Sequence, residues 1–183
     1  LNSLQLKVSY GTTGNSGISA YNALALVGSG LLYNGQPGIA PSTVGNDNLT
    51  WESMKTLNVG ISTRVFDRFS IELEFYNRQT DDMLMGYPLS YTTGHGSSVE
   101  NVASMRNRGF DITLGVDILK TRDFSWSVSG NLNYNKNEIT KLFNGLDEYT
   151  LPDTGLKMKV GKPWGEYYYV KWAGVDPRDG YNM

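Results

Sequence analysis

The chain has 183 residues, 16 of them basic and 18 acidic, for a formal net charge of −2. That balance excludes a basic nucleic-acid binder and an acidic tail protein. The absence of cysteine and the single histidine, His95, exclude a disulfide framework, a thiolate site and a multi-histidine metal centre.

No apolar run approaches the roughly 18 residues that a membrane helix needs. The most apolar window, 21–33, is broken by Asn22, Gly28, Ser29 and Gly30. No signal peptide is visible at Leu1. The negative mean hydropathy does not argue against a membrane location, because a barrel strand shows only every second residue to lipid. The 21 glycines, with 12 Tyr, 6 Phe and 4 Trp, favour an all-β chain.

Five segments alternate with period two. In the first, Leu4, Leu6, Val8 and Tyr10 alternate with Gln5, Lys7 and Ser9. The second sets Leu57, Val59, Ile61 and Val65 against Thr56, Asn58, Ser62 and Arg64. The third sets Phe69, Ile71, Leu73 and Phe75 against Ser70, Glu72, Glu74 and Tyr76. The fourth sets Phe110, Ile112, Leu114, Val116 and Ile118 against Asp111, Thr113, Gly115 and Asp117. The fifth sets Phe124, Trp126, Val128, Leu132 and Tyr134 against Ser125, Ser127, Ser129, Asn131 and Asn133. This pattern predicts strands with one apolar face over about 3–11, 50–66, 69–86, 102–119 and 124–141. Long loops are expected over about 12–49, 87–101 and 142–170. Short and long connections thus alternate along the chain, as in an outer-membrane barrel with short periplasmic turns and long external loops.

Because paired residues must share a face, parity predicts the hairpin registers. Val65 should lie opposite Phe69, with three residues in the turn. Ile118 should pair with Phe124 (or Leu119 with Asp123), Val116 with Trp126 and Leu114 with Val128. Arg64 should sit diagonal to Glu72, within reach of a charge pair. Trp126 and Tyr134, eight residues apart, correspond to roughly 20 Å of height on a tilted strand, the spacing expected of two aromatic girdles.

The run Asn101-Val-Ala-Ser-Met-Arg-Asn-Arg-Gly-Phe-Asp111 resembles a recurrent stretch of SusC/RagA TonB-linked outer-membrane proteins. Further runs resemble that family in the same order: Ser9-Tyr-Gly-Thr-Thr-Gly-Asn15, Asn48-Leu-Thr-Trp-Glu52, Phe75-Tyr-Asn-Arg-Gln-Thr-Asp-Asp-Met-Leu84, Asn131-Leu-Asn-Tyr-Asn-Lys-Asn-Glu-Ile139, and Val160-Gly-Lys-Pro-Trp-Gly165 leading to Gly174-Val-Asp-Pro-Arg-Asp-Gly180. The resemblance spans nearly the whole of 1–183. It implies an incomplete, C-terminal-half portion of a large transmembrane β-barrel, with no plug or TonB box in this stretch. It also implies import of oligosaccharides or peptides, a SusD-like surface lipoprotein as partner, coupling to the TonB complex through parts absent here, contact with outer-membrane lipid, and a place in the bacterial outer membrane. The last residues, Asn182-Met183, are expected just after a turn and short of a terminal barrel strand.

No residue is assigned to catalysis, to a cofactor or to a metal, and the substrate-binding residues stay unassigned. The glycine-rich run 11–17 lacks the Lys-Ser/Thr of a phosphate loop. His95, between two glycines, reads as a loop tip. Asp81 and Asp82 read as a solvated strand end, and Asp176 to Gly180 as a turn without calcium spacing. The Asn48-Leu-Thr50 sequon carries no weight in a bacterial protein. Glu72 and Glu74 share a polar face with Arg64, Asp111, Asp117, Asn131, Asn133 and Asn135, a hydrated wall suited to polar cargo. The loop aromatics Tyr21, Tyr33, Tyr87, Tyr91, Trp164, Tyr167, Tyr168, Tyr169 and Trp172 are expected to pack between loops or against a lid more than to hold cargo. The chain reads as a non-enzyme that binds no nucleic acid; the alternative is a soluble all-β carbohydrate-binding or interaction module, whose apolar face would be an internal core.

Overall fold

Ten strands form the architecture of the computed structural model, which describes residues 1–151, 154–169 and 171–181. Asn182 and Met183 lie outside the described residues. Five long strands make one antiparallel sheet: β1 (Ser3–Asn15), β4 (Glu52–Val65), β5 (Phe69–Pro88), β6 (Ser97–Lys120) and β7 (Ser125–Lys141), in the order β1-β4-β5-β6-β7. The two remaining sheets are small. One is the hairpin of β2 (Val27–Tyr33) with β3 (Gln36–Pro41), and the other joins β8 (Glu148–Thr150), β9 (Leu156–Lys159) and β10 (Glu166–Tyr167).

The stretches expected as loops therefore contain structure. β1 runs four residues past its expected end. The β2–β3 hairpin turns on Asn34 and Gly35, both at positive φ (50° and 76°). Asn-Gly in that conformation is the strongest short hairpin signal, and the alternation of flanking residues was too weak to reveal it. β5 and β6 extend toward each other, leaving only a short connection with a 3-10 turn at Tyr91–Thr93.

The first short turn has the register that parity requires, with Val65 opposite Phe69. Phe66 and Asp67 take positive φ without being glycine (54° and 57°), a conformation costing on the order of 1–2 kcal/mol per residue. Three hydrogen bonds hold it: Asn2 donates to Asp67 Oδ1 (2.8 Å), the Asp67 N–H donates to Asn2 Oδ1 (3.1 Å), and Arg64 donates to the Asp67 carbonyl (3.1 Å). The second turn departs from expectation. Val116 faces Val128, Leu114 faces Gly130 and Trp126 faces Leu119, while Lys120 faces Ser125. Val116 thus lies two residues from its expected partner; a bulge between Asp117 and Leu119 leaves Ile118 unpaired, shifts the register by one residue, and so keeps Leu119 and Trp126 together on one face with Val116 and Val128.

Among the described residues, nothing pairs with the outer edge of β1. On β7 the outer edge is engaged at Ile139, whose N–H donates to the Lys162 carbonyl (2.9 Å) and whose carbonyl accepts from Gly161 N–H (2.8 Å). The sheet is thus an unclosed portion of a barrel. Its small core sits at the end carrying the long connections. There Ile139, Leu142 and Met158 are buried, with Met85, Tyr149, Leu151 and Val160 packed around them.

Candidate functional site

The site is a pair of faces. On one, the register stacks apolar side chains into rows across the strands. Leu6, Ile61, Leu73, Ile112 and Leu132 form one row, and Val8, Val59, Phe75, Phe110 and Tyr134 the next. Nothing among the described residues covers them: Leu6 is 67% exposed, Leu73 42%, Leu114 51% and Leu132 59%. A soluble sandwich would bury Leu114 and Val128 under a second sheet. Here both stay about half exposed, and the two small sheets do not take that role.

The opposite face is polar from edge to edge. Lys7, Gly60, Glu74, Asp111 and Asn133 form one row, and Ser9, Asn58, Tyr76, Gly109 and Asn135 another. Neighbouring side chains hydrogen-bond across the strands. Asn58 donates to Ser9 Oγ (3.2 Å), Ser62 to Glu72 Oε1 (3.3 Å), Tyr76 to Asn135 Oδ1 (3.1 Å), and Asn133 to Asp111. Gly109 is needed in this pattern. A Cβ there would meet the Tyr76 ring at 2.6–2.8 Å and run into the Tyr134 carbonyl, so only glycine lets Tyr76 lie across β6 to reach Asn135.

Arg64 pairs with Asp117 Oδ2 (2.9 Å) and not with Glu72, which instead accepts from its directly opposite neighbour Ser62. The turn geometry draws the guanidinium toward Asp67 and away from the diagonal. Glu72 and Glu74 stay apart from any nucleophile–base arrangement, and among the described residues no three His, Asp or Glu side chains converge to hold a metal.

The residues singled out in the sequence fall into three groups. The first is structural. Asn101 accepts from Thr50 N–H (2.8 Å) and donates to the carbonyls of Thr50 (2.9 Å) and Asp82 (2.7 Å). Glu52 accepts from Leu84 N–H (2.8 Å) and from Asn15 (2.8 Å). Together they brace the bulge between Thr80 and Met83, where Asp82 takes φ 56°. Asn137 donates to Asn107 Oδ1 (2.7 Å) and accepts from the Trp164 N–H (2.7 Å), tying three separate motifs into one clamp. Sequence reasoning recognised these motifs without seeing that they meet.

The second group has ordinary partners. Asp81 pairs with Lys55 (3.1 Å). His95 is half-buried after the 3-10 turn, its N–H donating to Thr93 Oγ1 (3.4 Å). Asp176 closes its turn through Arg178 N–H (2.8 Å) and Gly180 N–H (2.8 Å). Tyr87 accepts from Asn144 (2.8 Å) and packs edge-on against Phe143.

The third group is exposed aromatics at the long-connection end: Tyr21, Tyr33, Tyr91, and Tyr167 stacked on Tyr169. Beside them Lys157 lies over the Tyr168 ring (4.4 Å) and bonds Glu148 (2.8 Å), with Lys159 also on Glu148 (3.3 Å). Those two hydrogen bonds hold the Glu148 carboxyl below the usual range, and the bond to Glu148 raises Lys157.

A family profile described as "TonB dependent receptor-like, beta-barrel" matches residues 1–182. A TonB-dependent receptor of Formosa agariphila is 33% identical over the whole chain, which covers 17% of that protein. SusC of Bacteroides thetaiotaomicron is 32% identical over 63% of the chain and 12% of its own length. Among solved structures, the RagAB peptide transporter superposes with a TM-score of 0.87 at 42% identity, over 99% of this chain and 20% of that one. The RagAB peptide importer in its open-open state gives 0.85 at 39%. The chain therefore spans about a fifth or less of the proteins it matches. An uncovered apolar face, a hydrogen-bonded polar face and a family match from end to end agree: the chain belongs to the TonB-dependent receptor β-barrel family, as a portion of a SusC/RagA-type barrel wall.

Proposed function

We propose that this chain is part of an outer-membrane importer, driven by TonB and working with a SusD-like surface lipoprotein, that carries oligopeptides or oligosaccharides inward. The observation behind the reading is the two-faced sheet: rows of exposed Leu, Ile, Val and Phe on one side and an unbroken polar wall on the other. Lipid covers the first face, and the second lines a hydrated passage. Side chains such as Asn131, Asn133 and Asn135 offer hydrogen bonds to amides or sugar hydroxyls alike. The likeness to a peptide transporter at 39–42% identity favours peptide as the cargo class. The exposed tyrosines around β10 suit contact with the lipoprotein lid. No catalytic step enters this reading.

Deleting the gene for the full-length protein and following uptake of labelled oligopeptides and oligosaccharides tests it. Uptake of one class should disappear, return with the restored gene, and need both TonB and a lipoprotein that co-purifies with the barrel. Unchanged uptake of both classes would refute the assignment.

A further inference from the structure

The apolar face does not stay apolar to its end. Two and four residues beyond Phe110 toward the long connections, the same face carries Arg108 and Arg106; two and four beyond Tyr134 it carries Lys136 and Glu138. Phe110 and Tyr134 stack with centroids 5.4 Å apart, a ring row directly beneath the charges. The three cations converge on one carboxylate oxygen, Glu138 Oε2, at 3.5–3.7 Å. None of these contacts is a hydrogen bond, and Arg106 Nε also makes none. Lys55, on the same face, is already neutralised by Asp81 at 3.1 Å. Three positive charges around one negative leave donors in excess. A surface depression of about 270 Å³ opens there, lined by Phe75, Phe110, Tyr134, Arg108 and Lys136. The next depression down the face, about 330 Å³, is lined by Val59, Ile61, Leu73 and Ile112 among others.

We propose that this patch is a binding site for the phosphate headgroup of an outer-leaflet lipid, with Arg108 and Lys136 as donors, the ring row at the interface and the apolar grooves below taking acyl chains. The inference rests on the barrel reading above. Guanidinium and ammonium groups at headgroup level, just past an aromatic row, are placed where lipid phosphates lie. The planar Arg fork fits two phosphate oxygens, and Glu138 keeps the cations gathered without saturating them.

The test is native mass spectrometry of the full-length protein in detergent, titrated with bis-phosphorylated lipid A and with its dephosphorylated form. The phosphorylated lipid should bind about tenfold more tightly, and the Arg108→Gln/Lys136→Gln double variant should lose that preference. Lys55→Gln should keep it, and inorganic phosphate should not displace the lipid. Equal binding of the two lipids overturns the proposal, as does an undiminished preference in a double variant that still migrates as a folded barrel. Displacement by inorganic phosphate would assign the patch to free phosphate and also overturn it. If the double variant does not fold, the comparison of the two lipids decides by itself. Lipid bound without phosphate preference refutes this site alone, whereas a failed barrel reading would show as an apolar face shielded from lipid.

Discussion

The amide of Asn101 reaches three backbone groups at once, on the entry to β4 and on the bulge of β5. The role needs both a carbonyl oxygen and an NH2 group, which only an amide side chain supplies. Asn101→Ala should cost on the order of 1–3 kcal/mol. Hydrogen exchange should report it as lost protection at the Thr50 amide, with the amides of Ile71 to Phe75 unchanged. Gly109 makes a second case at this scale. Gly109→Ala should lower the thermal midpoint by pushing Tyr76 off Asn135, an overpacking cost of about 1–3 kcal/mol. Gly130→Ala, with nothing within 4 Å of its Cβ, is the control and should leave the midpoint unchanged.

At the scale of elements, the alternation along β4, β5 and β6 was enough to read strand, face and first hairpin register from the residues alone. The second register was not legible, because the Thr121–Phe124 turn sets Lys120 opposite Ser125 and the bulge at Ile118 then moves the register by one, and neither leaves a mark in an alternating sequence. The extent of the loops was misjudged for a different reason. β8, β9 and β10 are two to four residues long, too short for a period to emerge, and they are held by Met158 packing on Ile139 and Leu142. The candidate site divides the same way. The polar and apolar faces were legible, but the clamp of Asn107, Asn137 and Trp164 was not, since its members lie far apart in sequence.

Two predictions belong to elements. Leu114→Arg should impair barrel assembly by about 2–4 kcal/mol, the cost of a cation near the bilayer midplane, while Thr113→Arg, one residue away on the polar face, should assemble normally. Heat-modifiable gel migration separates the two. In the β8–β9 sheet, the Glu148 carboxyl titrates below its unfolded value, so its hold on Lys157 and Lys159 is complete above the ordinary carboxylate pKa. That hold is lost only as pH falls through the depressed value. Exchange of the β9 amides, corrected for intrinsic rate, should therefore stay flat from neutral pH down to about 5 and rise only in stronger acid. A rise already at mild acidity would contradict the pairing.

For the whole molecule, the sheet has an apolar face and an edge at β1 that find no partner among the described residues. On the proposed function, the remainder of a barrel and a bilayer resolve both conditions. The buried core is confined to the long-connection end, so the long strands depend on their surroundings in place of an interior of their own. The family match along 1–182 agrees with that picture. So does the alternation of apolar and polar residues along the strands, which gives the sheet its two faces.

The central claim is that the apolar face meets lipid. A single-cysteine spin-label scan from Phe110 to Ile118 in the full-length protein, reconstituted in bilayers, tests it most directly. Labels at Ile112, Leu114 and Val116 should be relaxed by lipid-soluble oxygen, and labels at Asp111, Thr113 and Asp117 by a water-soluble nickel complex. Shielding of Ile112, Leu114 and Val116 from both reagents would mean that protein covers this face, and would contradict the account.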